Sequence, residues 1–386
     1  MNVNDKYIVK IIDEDNIGNG ICKINNFVVF VKNALLDEEL ELIITDIKKH
    51  YAIGKIIKYI SKNKNRINVE CKYYDICGGC NFLHTNYINE RNIKQKYLEK
   101  LFNRKIEYLD TKEILNYRNK VTLHVLKGKL GFYNDKTHEL CEIDKCLLLN
   151  PKINIIISEL KTINLNNISE IMIRSINNKI MININGNIKD INIDCDSLYI
   201  NNKYIRGEKY LIDVINNYKF SIYPNSFYQI NKEGMINIYN KALQLIREDN
   251  SLLDLYYGTG TIGIWMHSKF KNILGVEINK EAINNANINK KINNISNIEF
   301  KHEDAKEFKG NFDCIIVDPP RIGLSKDVSK YLNNSKSKQI IYISCNPNTL
   351  KRDIDLLNNY EVKKISCCDM FPRTKHIECI TFLKRR

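Results

Sequence analysis

Cys71, Cys77 and Cys80 fall within ten residues of one another, and Gly78-Gly79 separates the closest pair. Thiolates at that spacing, with glycines that let the backbone fold around a ligand, form a metal-site pattern. A remote fourth thiol comes from Cys146, or less favourably Cys141. Zinc sites pair short spacings two and two. A first gap of five residues and one distant partner point instead to an iron–sulfur cluster.

The second group of candidate residues closes apolar runs in the last third of the chain. Asp254-Leu255-Tyr256-Tyr257-Gly258-Thr259-Gly260-Thr261 places two glycines directly after a strand, where a ligand can approach the backbone. Glu277 ends the next run and is placed for ribose hydroxyls. Asp304 follows the third run and could hold an adenine edge. The loop has neither Gly-x-Gly-x-x-Gly spacing nor the Lys-Ser/Thr of a P-loop, which favours S-adenosylmethionine over NAD or ATP. Asp318-Pro319-Pro320-Arg321 makes a rigid loop. Amino-methyltransferases carry a similar element followed by an aromatic, and here Arg321 stands in that place. Cys345, in Ser344-Cys345-Asn346-Pro347, sits between a strand and a helix. A helix N-terminus lowers a thiol pKa, so this cysteine is a candidate nucleophile. A lone cysteine is more often structural; its place at a strand's carboxyl end reverses that. Glu378 opens the final strand, where an acid is unfavourable without a partner or a task. In a regular strand His376 shares its face.

The elements that must position these residues follow from the apolar pattern. From about residue 220, apolar runs alternate with helical periods, which predicts a parallel sheet covered on both faces. Ligands in such sheets bind outside the carboxyl ends of the strands. Residues 1–61 read as five short strands separated by turn signals such as Asn19-Gly20 and Asn25-Asn26, the size of a small oligonucleotide-binding barrel. Lys48-Lys49-His50-Tyr51, with Lys55 and Lys58, would give it a strand-borne basic and aromatic surface suited to RNA. Asn116-Tyr117-Arg118-Asn119-Lys120 leads into an alternating strand and could contact phosphate. Residues 150–220 read as a mostly β connecting region.

The net charge of +14 suits a polyanionic partner. No run approaches the roughly 18 apolar residues of a membrane helix, and the N-terminus does not read as a signal peptide. Cytoplasmic residence, reduced cysteines and a monomer are expected. At 386 residues the chain exceeds one ordinary core. Three regions are expected: a barrel over 1–61, an iron–sulfur region over 62–220 and a catalytic domain over 221–386.

In this order the motifs resemble the RNA uracil-5 methyltransferase family. They include the cysteine cluster, Phe227-Tyr228-Gln229-Ile230-Asn231, the Asp254 loop, Asp318-Pro319-Pro320-Arg321, Ser344-Cys345-Asn346-Pro347 and His376-Ile377-Glu378. The resemblance implies an α/β protein: a class I, Rossmann-like S-adenosylmethionine methyltransferase domain, an N-terminal TRAM barrel of OB type, and a central mostly-β region carrying a [4Fe-4S] cluster on Cys71, Cys77, Cys80 and Cys146. It implies Cys345 as nucleophile and Glu378 as base. It also implies that Gln229, Tyr256, Glu277 and Asp318 line the cofactor pocket, with Thr261 and Asp304 as further candidates. Thr261 departs from the Asn of some relatives. The cluster is similar to that of members acting on 23S rRNA, so 23S rRNA is favoured and tRNA is the alternative. A thiolate added to uracil C6 creates an enolate at C5 that can take a methyl, and a carboxylate then removes the C5 proton. An RNA amino-methyltransferase and a non-enzymatic RNA-binding protein are the rival readings.

Overall fold

The computed structural model describes residues 1–134, 137–188 and 191–386. The chain divides into two compact units. One holds residues 1–105, 134–136 and 371–376; the other holds 106–133, 137–370 and 377–386.

In the first unit, strands Lys6–Lys10, Asp13–Glu14, Asn19–Ile24, Phe27–Lys32, Glu39–Ile47 and Ala52–Ser61 form one sheet. Alternating apolar residues put Val9, Cys22, Val29, Val31, Leu40, Leu42 and Ile44 in a common core. The expected RNA-facing segment Lys48–Tyr51 is the turn between the last two strands rather than part of a strand, with all four residues exposed. The order then continues with a one-turn helix, Tyr74–Cys77, and a longer helix, Tyr87–Phe102, capped by the Asn86 side chain. Residues 371–376 are fastened here by a buried ionic knot. Glu90 Oε2 accepts from Arg373 Nη1 (3.0 Å), Glu90 Oε1 from Lys94 Nζ (2.8 Å) and from the Arg373 N–H (2.7 Å). Arg373 Nη2 donates to the Phe82 and Thr85 carbonyls.

The second unit holds a seven-stranded sheet, a hairpin of Leu211–Ile215 with Tyr218–Ile222, and an eight-stranded sheet. Three of its hairpins turn on paired asparagines. Asn177-Asn178, Asn201-Asn202 and Asn216-Asn217 all adopt positive φ, as does Asn25-Asn26 in the first unit. Two consecutive left-handed residues give the turn whose twist matches the strands, and Asn tolerates that region. Within the connecting region, Pro151–Leu160 is a helix, capped by Asn150 with Pro151 at its start.

The large sheet has the order Ile298–His302, Phe270–Glu277, Asp249–Leu255, Cys314–Val317, Gln339–Ser344, Glu378–Arg385, Tyr360–Cys368, Glu107–Leu109. The first five strands are parallel, as the apolar alternation predicts. Glu378–Arg385 instead runs antiparallel to both neighbours. Residues 369–377 are too few for a crossover helix, so the last strand must return antiparallel. No helix among the described residues is long and apolar enough to cross a membrane.

The ionic knot gives a stability test. Arg373→Ala leaves Glu90 buried with part of its charge unanswered, and should cost about 3–5 kcal/mol in urea unfolding. A loss below about 1 kcal/mol would mean that the knot does not hold the 371–376 segment.

Candidate active site

The order of the large sheet reverses between Asp249–Leu255 and Cys314–Val317, which opens a crevice at their carboxyl ends. All the candidates implied for catalysis and cofactor binding lie in the second unit. The glycine loop follows Leu255. Tyr256 has φ +66, Gly258 φ +55 and Gly260 φ +79. A Cβ at Gly260 would press on Ala286 and Phe300 at 3.1 Å, so that position needs glycine for space as well as for conformation. Glu277 is half-buried at its strand end. Its carboxylate accepts from the N–H groups of Gly258 (3.2 Å), Ile278 and Asn279 (3.0 Å each), which fixes it at the crevice rim. Asp304 is half-buried after the outer strand. Gln229 is held by its backbone, whose carbonyl accepts from Asn119 Nδ2 (3.0 Å) while the Asn119 N–H bonds the Ile230 carbonyl. The Asn116–Lys120 segment, read from sequence as open to phosphate, thus buries Tyr117 and Asn119 and supports the Gln229 segment. Thr261 is buried with its hydroxyl 2.9 Å from that of Tyr239. Behind the loop, Asp254 Oδ2 accepts from the Gly263 N–H, and its buried Oδ1 has no hydrogen-bond partner among the described residues.

Cys345 leaves the strand Gln339–Ser344. Register pairs Ser344 with Cys379, so Cys345 and Glu378 emerge as neighbours at the next position. Asn346 caps the helix Pro347–Asp355 and donates through Nδ2 to the Arg321 carbonyl (3.1 Å), tying the cysteine turn to the Asp318–Arg321 loop. Asp353, fully buried, accepts from Tyr342 Oη (2.6 Å) and the Leu324 N–H (2.8 Å), locking that loop's far end. His376 does not share a strand face with Glu378. The strand begins at Glu378, and His376 stays in the 371–376 loop against Phe371, ring centroids 5.9 Å apart.

Comparison with known proteins decides the family. A family model described as tRNA (uracil-5-)-methyltransferase matches residues 137–312 and 306–386, and a TRAM domain model matches 2–57. This chain belongs to the tRNA (uracil-5-)-methyltransferase family. It is accordingly an RNA methyltransferase of the uracil-5 class. An uncharacterized RNA methyltransferase of Clostridium acetobutylicum is 33% identical over 99% of this chain and 97% of its own. One from Clostridium tetani is 32% identical over 98% and 96%. The crystal structure of the Pyrococcus abyssi tRNA (uracil-54, C5)-methyltransferase with S-adenosyl-L-homocysteine superposes with a TM-score of 0.82 at 26% identity, covering 97% of this chain and 99% of that one.

In this member of the family, the electrostatics of the crevice run against one sequence expectation. The helix N-terminus was expected to lower the Cys345 thiol pKa. Burial, then the Glu378 and Asp318 carboxyls, push it up to about 11, with Arg321 opposing them. The two acids also raise themselves. Burial lifts Asp318 to about 7, and burial with the Asp318 charge lifts Glu378 well above the carboxylate range.

Cys71, Cys77 and Cys80 lie in the first unit and Cys146 in the second. Among the described residues no group of three or more His, Cys, Asp or Glu is arranged to hold a metal ion. Cys77 ends its one-turn helix at Gly78, φ +73, and none of the twelve cysteines is in a disulfide. Nearby Tyr74 Oη hydrogen-bonds His84 Nδ1 (2.7 Å), and the buried His84 Nε2 has no partner among the described residues.

Carboxylate control of the thiol is directly measurable. Glu378→Gln removes a like charge, so the Cys345 pKa should fall and its alkylation by iodoacetamide at pH 8 should quicken, roughly tenfold per pKa unit. Peptide mass spectrometry separates Cys345 from the other cysteines, and an unchanged rate would refute the coupling. Stability carries the same signature. Both acids have raised folded pKa values, so their contribution is complete below the unfolded carboxylate range and is lost as pH rises through their folded values, about 7 for Asp318. Glu378→Gln should therefore lose less stability than the native chain between pH 5 and pH 8.

Proposed function

We propose that this enzyme transfers a methyl group from S-adenosylmethionine to C5 of a uridine in RNA, with Cys345 as nucleophile and Glu378 as base. The observation that carries the reading is the emergence of Cys345 and Glu378 from adjacent strand ends, with Asp318 charged against both. S-adenosylmethionine supplies an electrophilic methyl on a positive sulfur. The glycine loop and the orphaned oxygen of Asp254 leave polar, close-approach space for it. Glu277 is placed for its ribose hydroxyls and Asp304 for its adenine edge, while Gln229, Tyr256, Asp318 and Thr261 complete the pocket wall.

The residues divide the proton work. Cys345 must give up its proton to add to C6, and Asp318, near 7, is the acceptor whose ionised form is populated at neutral pH. The Cys345 sulfur bonds C6, and the electron pair pushed to C5 would take the methyl as its bond to the sulfonium sulfur breaks, that bond's pair leaving with S-adenosylhomocysteine. Glu378 then takes the C5 proton. The C6–S bond breaks, the ring double bond returns and Cys345 leaves as thiolate. With a cation in the crevice both acids can ionise together; without one they hold a proton between them.

The cysteine spacing supports a [4Fe-4S] cluster on Cys71, Cys77, Cys80 and Cys146 and, with it, 23S rRNA as substrate. The Pyrococcus relative, which acts on tRNA, supports tRNA as the second reading. The reading places the enzyme in the cytoplasm.

RNA containing 5-fluorouridine should trap a covalent complex on Cys345, visible as a protein–RNA band that survives denaturation. Cys345→Ser should abolish it, and absence of an adduct in the native enzyme would refute the mechanism. Glu378→Gln should accumulate the adduct on ordinary RNA and lower turnover by roughly 100-fold or more. Turnover should rise with pH through neutrality as the pair ionises, and Asp318→Asn should lower turnover by removing the acceptor for the Cys345 proton. Anaerobically purified protein should carry about four iron and four sulfide per chain if the cluster is present, and Cys80→Ala should lose both. Iron-free protein with full activity would remove the cluster from the reading. Mapping 5-methyluridine in ribosomal and transfer RNA of a deletion strain separates the two substrates.

A further inference from the structure

A cavity of about 440 Å³ lies in the second unit, within the size range of sites that hold small ligands. Gly258 and Glu277 form one edge of it, where it meets the cofactor crevice. Its other walls are not used by the chemistry above: Tyr199, Tyr223, Asn225, Glu281 and Asn284.

These walls are built on a buried polar frame. Ser226 Oγ contacts Asn285 Oδ1 (2.5 Å) and accepts from the Tyr223 N–H (3.0 Å). Asn285 Nδ2 donates to the Ser221 carbonyl (2.8 Å), and Asn289 Oδ1 accepts from the Ser221 N–H (2.7 Å). Arg174, fully buried, donates to the Ser226 carbonyl (3.0 Å). These buried hydrogen bonds fix the loop carrying Tyr223 against the helix Lys280–Ile292, while Arg174 Nε and Nη1 have no partner among the described residues. By contrast, the Asn225, Asn284 and Glu281 side chains make no hydrogen bond or ion pair among the described residues. The frame is committed, and the groups that face the cavity are not.

The lining chemistry narrows the ligand. It contains no Lys or Arg but two carboxylates, Glu277 and Glu281, so a phosphate is disfavoured. Aromatic faces with amide edges are the means by which proteins hold an unstacked base. A carboxylate accepts from an exocyclic amine and repels a carbonyl oxygen.

We propose that this cavity receives one unstacked nucleobase of the RNA that carries the methylated uridine, and selects bases that carry an exocyclic amine. Tyr223 supplies the stacking face. Asn225, Asn284 and Glu281 read the edge. Uracil, with two carbonyls and no amine, is the base it disfavours. The proposal rests on the reading that the substrate is RNA methylated at uridine.

The test uses full-length protein saturated with S-adenosylhomocysteine and fluorescein-labelled pentanucleotides AAUAA, CCUCC and UUUUU, read by fluorescence anisotropy. The A- and C-flanked oligonucleotides should bind more tightly than UUUUU. Tyr223→Ala should weaken those two by roughly ten- to a hundredfold, the range for loss of one base–aromatic stack, with UUUUU little changed. Glu281→Gln and Asn284→Ala, both on the exposed side of the helix, should narrow the difference between flanking bases without loss of fold. Equal affinity for all three oligonucleotides, or equal losses across them, would overturn the proposal. So would a matching loss of S-adenosylhomocysteine affinity in Tyr223→Ala, which would assign the cavity to the cofactor. The 5-fluorouridine adduct on Cys345 is read separately. Its absence alongside intact base preference refutes the chemistry alone, and an intact adduct without base preference refutes the cavity alone.

Discussion

Two carboxyl groups and a thiol gather at the end of one sheet, Glu378 buried and Asp318 and Cys345 half-buried, and the architecture of the second unit answers to that constraint. Like charges in a low-dielectric site raise one another's pKa and cannot all ionise. Such a cluster survives only where its surroundings are over-determined. The antiparallel register of Gln339–Ser344 with Glu378–Arg385 fixes Cys345 against Glu378 through two strands at once. The Asp353 contacts to Tyr342 and Leu324, and the Asn346 bond to the Arg321 carbonyl, hold the Asp318 loop beside them. The Asp353 bonds are buried, and the exposed Asn346 bond is made by the residue that caps the following helix.

The same division between frame and face recurs along the sheet edge. Asn119 gives both its backbone and its amide to residues 229–230, and Asn285 and Asn289 take up Ser221 and Ser226. Asparagine serves here because one side chain offers a donor and an acceptor, enough to satisfy two orphaned backbone groups. The loops that carry the candidate cofactor and RNA contacts are therefore positioned from behind by neutral amides. The buried charge in this frame is Arg174, whose guanidinium donates to the Ser226 carbonyl.

What could be read from the sequence was local. The first-unit strands were legible because apolar residues alternate and Asn-rich turns separate them, and the parallel strands because their apolar runs end in Asp254, Glu277, Asp318 and Cys345. What could not be read was pairing at a distance. Glu107–Leu109 joins the far edge of the catalytic sheet beside Tyr360–Cys368, more than 250 residues later in the chain, with no local signal. The helix Pro151–Leu160 did leave one, Asn150-Pro151, which was outweighed by the β-branched isoleucines that follow. The last strand's direction followed from the short 369–377 connection. His376 shows the limit of periodicity: a two-residue offset from Glu378 implies a shared face only if the strand extends that far, and it does not.

Cys345 is where local and tertiary effects compete most sharply. A helix N-terminus favours a thiolate by about 0.3–1 kcal/mol when exposed and up to about 2 when partly buried. Burial and the two neighbouring acids act in the opposite sense and raise the thiol from its ordinary value near 9 to about 11. They therefore outweigh the dipole, and Cys345 stays protonated at neutral pH. That balance has a chemical use. A thiol held down by negative neighbours is poorly reactive toward passing electrophiles, and the same neighbours ionise most easily when a positive charge enters the crevice. On the proposed mechanism, Cys345 and Glu378 are restrained by the one interaction that a cationic methyl donor would relieve, so their activation is linked to its arrival rather than built permanently into the fold.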